Sequence, residues 1–325
     1  MGGDFAPRNV IEGSLAALRE SNNRFEVIFI GPESTITQQL QDFRGNDLLY
    51  RIVDAPEVVE MHDTALAALK SKKNSSITVG MTLHRDGGAD AFVSAGHSGA
   101  MMSASTLVLG RIEGIGRPTI GAFLPSEQGV CLLLDAGANV DCKPQHLFEF
   151  AIMGTIYINE MFGIANPTVG LLNIGEEPSK GNDVVKEAYK LLEQSKLNFI
   201  GNLEGRDILQ GKAHVVVCDG FVGNIILKFG ESVPSFLKAR LKQYTATSVF
   251  KKTVGLMMRG TLRTALKSLD YEEYGGVPVL GVNGVSVIGH GKSTPKAIKN
   301  MVLSAEEMVR KNINRRIQET LASAT

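Results

Sequence analysis

Short apolar runs of strand length alternate with longer segments of helical period along almost the whole chain. The runs Phe25–Ile30, Ala91–Ser94, Thr119–Leu124, Val130–Leu134, Thr168–Leu172, Asn198–Ile200 and His214–Val217 read as strands. Val279–Val282 and Val285–Ile288 read as a late hairpin joined at Asn283-Gly284, the preferred pair for a type I′ turn. Helical periods cover Asn9–Glu20, Asp63–Ser71, Lys143–Phe162, Asn182–Gln194 and Pro295–Asn312. The last opens Ser293-Thr294-Pro295, a cap residue followed by proline at the first helical position. Such alternation predicts an α/β fold with a largely parallel sheet.

Two segments depart from this rhythm. Lys143–Phe162 is apolar on nearly every face, which places it in a core or at a subunit interface. Phe221 to Lys267 is a long helical stretch without strands, and its later part, from Val249, holds five basic residues and no acidic one. Phe250, Val254, Met257, Met258, Leu262 and Leu266 form an apolar stripe there, flanked by Lys251, Lys252 and Arg259. A basic amphipathic helix of this kind suits a membrane surface; the plainer reading is a helical hairpin with a solvated basic face. At the other end, Met1–Pro7 has the turn chemistry of a loop that should follow a strand, and no strand stands before it in this sequence; without that strand a sheet edge would be exposed and the placement of Asp4 weakened.

Composition narrows the function classes. Lys plus Arg equals Asp plus Glu at 34 each, so no global field draws the 325-residue chain to nucleic acid. The cysteines Cys131, Cys142 and Cys218 show no metal-ligand spacing, which favours a reducing, cytoplasmic setting without structural zinc. Thirty-five glycines gather just after apolar runs. In an open α/β sheet those positions face ligands, and glycine there lets backbone approach small anions.

The run Ser94-Ala-Gly-His-Ser-Gly99 passes from a strand into a helix and admits two chemistries. Gly96, His97, Ser98 and Gly99 could form an anion nest at a helix N-terminus. Alternatively, Ser98 could stand on a nucleophile elbow, with Ser98–Asp219–His290 in the order of a serine hydrolase or thioesterase. The upstream oxyanion motif of that class is absent. Gly289-His-Gly-Lys-Ser-Thr294 lacks the first glycine of a Walker A loop, although Lys292 and the helix behind it suit an anion. No dinucleotide fingerprint or metal-ligand cluster is legible, so no cofactor is called for.

Taken together, M-G-G-D-F-A-P (1–7), S-A-G-x-x-G-A-M (94–101), L-D-A-G-A-N-V-D-C (134–142), F-A-I-M-G (150–154), L-L-N-I-G-E-E (171–177), K-G-N (180–182), V-C-D-G-F-V-G-N (217–224) and the G-H-G run at 289–291 resemble the bacterial acyl-ACP:phosphate acyltransferase family of phospholipid synthesis, end to end and in order. The resemblance implies transfer of a long-chain acyl group from acyl carrier protein to inorganic phosphate, feeding a membrane glycerol-3-phosphate acyltransferase. It implies a three-layer α/β/α fold like that of phosphotransacetylases and isocitrate dehydrogenases. Two interleaved lobes would flank a cleft, about 1–125 plus 277–325 and about 126–276, with a helical protrusion at about 221–268. It also implies a homodimer that associates peripherally with the membrane. Under this reading Gly96, His97, Ser98, Gly99, Lys180 and Lys292 surround phosphate, Asn224 or a nest N–H stabilises the thioester oxyanion, and Asp4 and Asp219 orient these donors. The family pattern has Asn-Thr where this chain has His97-Ser98, which puts a titratable imidazole at the turn. The other reading left standing is a non-catalytic scaffold that binds the carrier protein at a membrane.

Overall fold

The strand Gly129–Leu134 (β5) shows how the chain builds its centre. Leu132 and Leu134 enter one apolar layer, Cys131 and Leu133 the other, and all four are fully buried. A strand covered on both faces has no polar side to show, which is why it reads as an unbroken apolar run. The computed structural model describes residues 1–43, 47–60, 62–248, 251, 253, 260 and 275–324.

Around β5 lie Ala91–Ser94 (β3), Thr119–Ser126 (β4), Thr168–Leu172 (β6), Asn198–Leu203 (β7), Val215–Val217 (β8), Val277–Leu280 (β9) and Val285–Ile288 (β10), in the order β3-β10-β9-β4-β5-β8-β6-β7. The flanks are parallel, β3 with β10 and β5 with β8, β6 and β7 in turn. The middle is antiparallel, through β10–β9, β9–β4 and β4–β5. This corrects the expectation of a largely parallel sheet at its centre. The β4–β5 and β9–β10 connections are too short for the crossover that a parallel pair needs. Val27–Gly31 (β1) and Tyr50–Asp54 (β2) form a separate parallel pair.

Helices Pro144–Phe162 (α6), Asp183–Glu193 (α7), Pro295–Arg310 (α10) and Ile313–Ala324 (α11) close one face of the large sheet. On the other face lie Ser76–Arg85 (α4), Ser98–Ala104 (α5), Gly205–Gln210 (α8) and Gly220–Thr245 (α9). Arg8–Glu20 (α1) and Glu33–Leu40 (α2) cover the β1–β2 pair, and Ala65–Ser71 (α3) packs near α5. Of the two places open to α6, the structure gives it the core: Leu147, Phe150, Met153, Tyr157 and Ile158 are buried within the chain.

The late hairpin is present with a different turn. Ser286 pairs with Val279 and Ile288 with Val277, so Gly281–Gly284 makes the bend and neither Asn283 nor Gly284 has positive φ. Asn283 is held elsewhere, its backbone N–H donating to Gly110 O and its side-chain amide to Arg111 O. The long helical stretch begins as α9, while Phe250, Lys252, Met257, Met258 and Arg259 lie outside the described residues.

Candidate functional site

The candidate residues fall into two groups, each built on a different set of strand ends. The first is carried by β3, β10 and the loop before α1. Gly289 N–H donates to Ser94 O at 2.8 Å, and Asp4 N–H donates to Gly291 O at 2.9 Å, which ties three glycine-rich turns together. Gly3 fits between them so closely that a Cβ there would stand 2.5 Å from Ala95 O. His97 is the N-cap of α5: Ala100 N–H donates to its Nδ1 at 3.1 Å, while Nε2 lies 3.0 Å from Asp63 O. An Nδ1 that accepts a backbone N–H carries no proton, so the ring is the Nε2–H tautomer donating to Asp63 O. Asp63 is fixed in turn by Lys72 Nζ at 2.6 Å, and that bond, with the Glu60 N–H, holds its carboxyl below the usual range. Ser98, Gly99, Asp4 and Lys292 are exposed. Lys292 N–H donates to His290 Nδ1 at 3.1 Å, and Thr294 caps α10 by accepting from Ala297 N–H.

The second group stands at the ends of β5, β8 and β6, and its hub is a residue not assigned to the site from the sequence. Asp135 is fully buried. Its carboxylate accepts from the N–H groups of Ile120, Gly137, Ala138 and Asn139 at 3.2, 3.2, 3.1 and 2.6 Å, and from Asn139 Nδ2 at 2.8 Å. Burial pushes the Asp135 pKa up, and these donors pull it back. The loop so held receives the start of α9. Gly220 N–H donates to Asn139 O at 2.7 Å, and Asp219 Oδ1 accepts from Val222 N–H at 2.9 Å as the cap. The approach is close enough that a Cβ at Gly223 would stand 1.8 Å from Asp135 O. Asn224 then lies against Gly137, whose φ of +130° is a glycine conformation. Lys180 sits in the loop after β6, with its carbonyl accepting from Asn173 Nδ2 at 3.0 Å and its side chain exposed.

Thus the structure brings Asp4, Gly96, His97, Ser98, Gly99 and Lys292 to one set of strand ends, and Asp219 and Asn224 to another. Lys180 follows β6 in that second set, whose strands are separated from the first by β9 and β4. The bonds that a Ser98–Asp219–His290 relay would need are spent elsewhere, since Asp219 caps α9 and His290 Nδ1 accepts from Lys292 N–H. Cysteine is no better a nucleophile. Burial pushes the Cys131 and Cys142 thiols up to about 12 and the Cys218 thiol well above its ordinary value. The sequence signal for Asp135 was the run Asp135-Ala-Gly-Ala-Asn139 after the five apolar residues Val130–Leu134. An aspartate that ends a strand ahead of glycine and asparagine commonly folds the loop onto its own carboxylate.

Residues 1–316 match the family model described as fatty acid synthesis protein. A relative from Chlorobaculum tepidum named phosphate acyltransferase is 50% identical over 331 residues, covering 99% of this chain and 100% of its own. Relatives of the same name from Chlorobaculum parvum and Dictyoglomus turgidum are 49% and 45% identical, covering 99% and 100% of this chain and 97% of their own lengths. Among solved structures, a phosphotransacetylase from Streptococcus pyogenes superposes with a TM-score of 0.59 at 16% identity, covering 94% of this chain and 99% of its own. The phosphotransacetylase EutD from Staphylococcus aureus superposes with a TM-score of 0.51 at 16% identity, covering 92% and 99%. The architecture is therefore the three-layer α/β fold of the phosphotransacetylases. The chain belongs to the fatty acid synthesis protein family, whose relatives at up to half identity are named phosphate acyltransferases.

Proposed function

We propose that this protein transfers a long-chain acyl group from acyl carrier protein to inorganic phosphate, releasing acyl phosphate and the free carrier thiol. A phosphate oxygen attacks the thioester carbonyl, the new C–O bond forms as the C–S bond breaks, and the carrier leaves as thiolate. Phosphate is already a nucleophile, so the protein needs to hold it beside the thioester and to stabilise the oxyanion. The observation that carries this reading is the site itself. Its donors are backbone nests, helix N-termini, lysines and an asparagine, while His97 and Asp219 cap helices and His290 Nδ1 accepts from Lys292 N–H.

In this reading the two groups belong to two lobes and act as halves of one cleft. Gly96, Ser98, Gly99 and Lys292 hold phosphate, with Asp4 positioning Gly291. Asn224, on the α9 turn capped by Asp219, meets the carbonyl oxygen, and Lys180 neutralises charge from the same side. The exposed apolar side chains Phe221, Ile225 and Phe229 continue along α9 from Asn224, a surface that fits an acyl chain. Further along the helix Phe236, Leu241 and Tyr244 are exposed as well, and Lys251 Nζ lies 4.3 Å from the Tyr244 ring centre. That face supports peripheral membrane association, with a homodimer and the downstream glycerol-3-phosphate acyltransferase as the other partners of the reading. No helix of the described residues is long and apolar enough to cross a membrane.

Steady-state kinetics on Lys292→Ala and Lys180→Ala test the assignment. Each is expected to raise the KM for phosphate by roughly tenfold, the loss of one charge-assisted bond of about 1.5 kcal/mol. If both leave it unchanged, the phosphate site lies elsewhere.

A further inference from the structure

The loop that carries Lys180 spans residues 173–182, between β6 and α7. Loops from strand to helix usually run to about two to six residues, and markedly longer ones commonly carry function. Lys180 is gripped there from both sides of its backbone. Its carbonyl accepts from Asn173 Nδ2, and its N–H donates to Glu177 O at 3.0 Å. Glu177 O also accepts from Asn202 Nδ2 at 2.9 Å, which occupies both of its lone pairs. The stem of Lys180 folds back on the same turn, since a Cβ at Gly175 would stand 3.2 Å from Lys180 Cγ.

Asn202 reaches Glu177 because β7 is bulged. Val169 pairs with Phe199 and Leu171 with Asn202, so Ile200 and Gly201 together stand against Gly170. Gly201 takes up the extra residue with a φ of +96°, a glycine conformation. Side chains alternate along a regular strand, where Phe199 and Gly201 would share one face and Asn202 would point to the other. The bulge turns Asn202 instead onto the face of Val169 and Leu171, the face that α7 covers. Bulges are rare in parallel pairs, re-aim a side chain and are over-represented beside active sites.

Stability does not account for an asparagine at this position. β7 is the terminal strand of the sheet, yet Asn202 is only 5% exposed. Its Oδ1 is buried with no hydrogen-bond partner among the described residues. A buried acceptor left unpaired costs at least as much as one neutral hydrogen bond returns, so the amide adds no net stability. What it supplies is a fixed place for Glu177 O, and through it for the Lys180 N–H.

We propose that Asn202 is a positioning residue for acyl transfer, aimed by the β7 bulge at Glu177 O so that the loop presents Lys180 in one place. The inference rests on the assignment of Lys180 to phosphate. It adds a residue that touches no substrate and acts through the backbone of another.

The KM for phosphate, the melting temperature and the hydrogen exchange of residues 174–181 are measured on the full chain for the parent, Asn202→Leu, Lys180→Ala and the double variant. Leucine fills the space of the amide without a donor. Asn202→Leu is expected to melt near the parent temperature and to speed exchange in the loop. Its KM for phosphate is expected to rise by about fivefold, the worth of one neutral hydrogen bond. In the Lys180→Ala background the same substitution is expected to leave the KM where Lys180→Ala has put it, because there is no ammonium left to position. Asn202→Ala is expected to raise the KM as Asn202→Leu does, and it carries the test should the leucine variant not fold. A lowered melting temperature with an unchanged KM would make Asn202 a structural residue and overturn the proposal. A rise in KM of equal size in both backgrounds would overturn it too, by showing that Asn202 acts elsewhere. An effect of Lys180→Ala with none of Asn202→Leu removes this proposal alone. No effect of Lys180→Ala itself removes the assignment of Lys180, and the role of Asn202 falls with it.

Discussion

Gly223→Ala sets two physical effects against each other, and the structure says which wins. Gly223 lies within α9, where replacing glycine by alanine ordinarily stabilises a helix by about 1 kcal/mol. Its Cβ position, however, stands 1.8 Å from Asp135 O, whereas ordinary contact begins at 3.4 Å, so the backbones must part by about 1.6 Å. Asp135 cannot yield, because five donors hold its carboxylate and its own chain forms the floor of the loop. Overpacking against a fixed wall costs about 3 kcal/mol, the upper end of its usual range, leaving a net loss of about 2 kcal/mol. For a chain of this length that corresponds to a fall in melting temperature of about 3 °C. Activity is expected to suffer more than stability. The displaced turn carries Asn224, and a misplacement of this size at a reacting centre costs about 100-fold. Differential scanning calorimetry and kcat/KM for acyl-ACP measure both. A raised melting temperature with unchanged kcat/KM would refute the reasoning.

Two further substitutions probe the first group. His97→Asn keeps a side chain that caps helices well, so α5 and the turn before it should stay formed. The KM for phosphate is expected to change by no more than about twofold, and a rise of roughly tenfold would contradict the purely capping role given to His97. Asp63 has a folded pKa lowered chiefly by Lys72, so its stabilising contribution is present above the ordinary carboxylate value and is lost as pH falls through the lowered one. The melting-temperature gap between the parent and Asp63→Asn should therefore be largest near neutrality and close below about pH 4; a gap independent of pH would show that the pair contributes no charge-linked stability.

Much of this molecule was legible as sequence because its strands are covered on both faces. Unbroken apolar runs such as Leu132–Leu134 and Val215–Val217 leave little choice of element, and the glycine-rich turns after them mark the strand ends that carry the candidate site. What escaped was decided by contacts distant in sequence. Tyr50–Asp54 alternates weakly and becomes a strand only by pairing with β1. The Asn283-Gly284 dipeptide carries a strong local turn preference, which was overridden because Asn283 donates to Gly110 and Arg111. Asp135 looked like one more acidic residue at a strand end, and its role as the hub of a loop depends on donors from Ile120, fifteen residues away. The division of the candidate residues between two sets of strand ends was likewise invisible, since it follows from three antiparallel pairings, β10–β9, β9–β4 and β4–β5, that interrupt the parallel order.

The reaction is tested most directly by following long-chain acyl-ACP consumption by the purified protein with and without inorganic phosphate, trapping the product with hydroxylamine. The account predicts consumption that depends on phosphate and yields hydroxamate in equal amount. Consumption that proceeds without phosphate, releases free fatty acid and stops on fluorophosphonate labelling of Ser98 would contradict it.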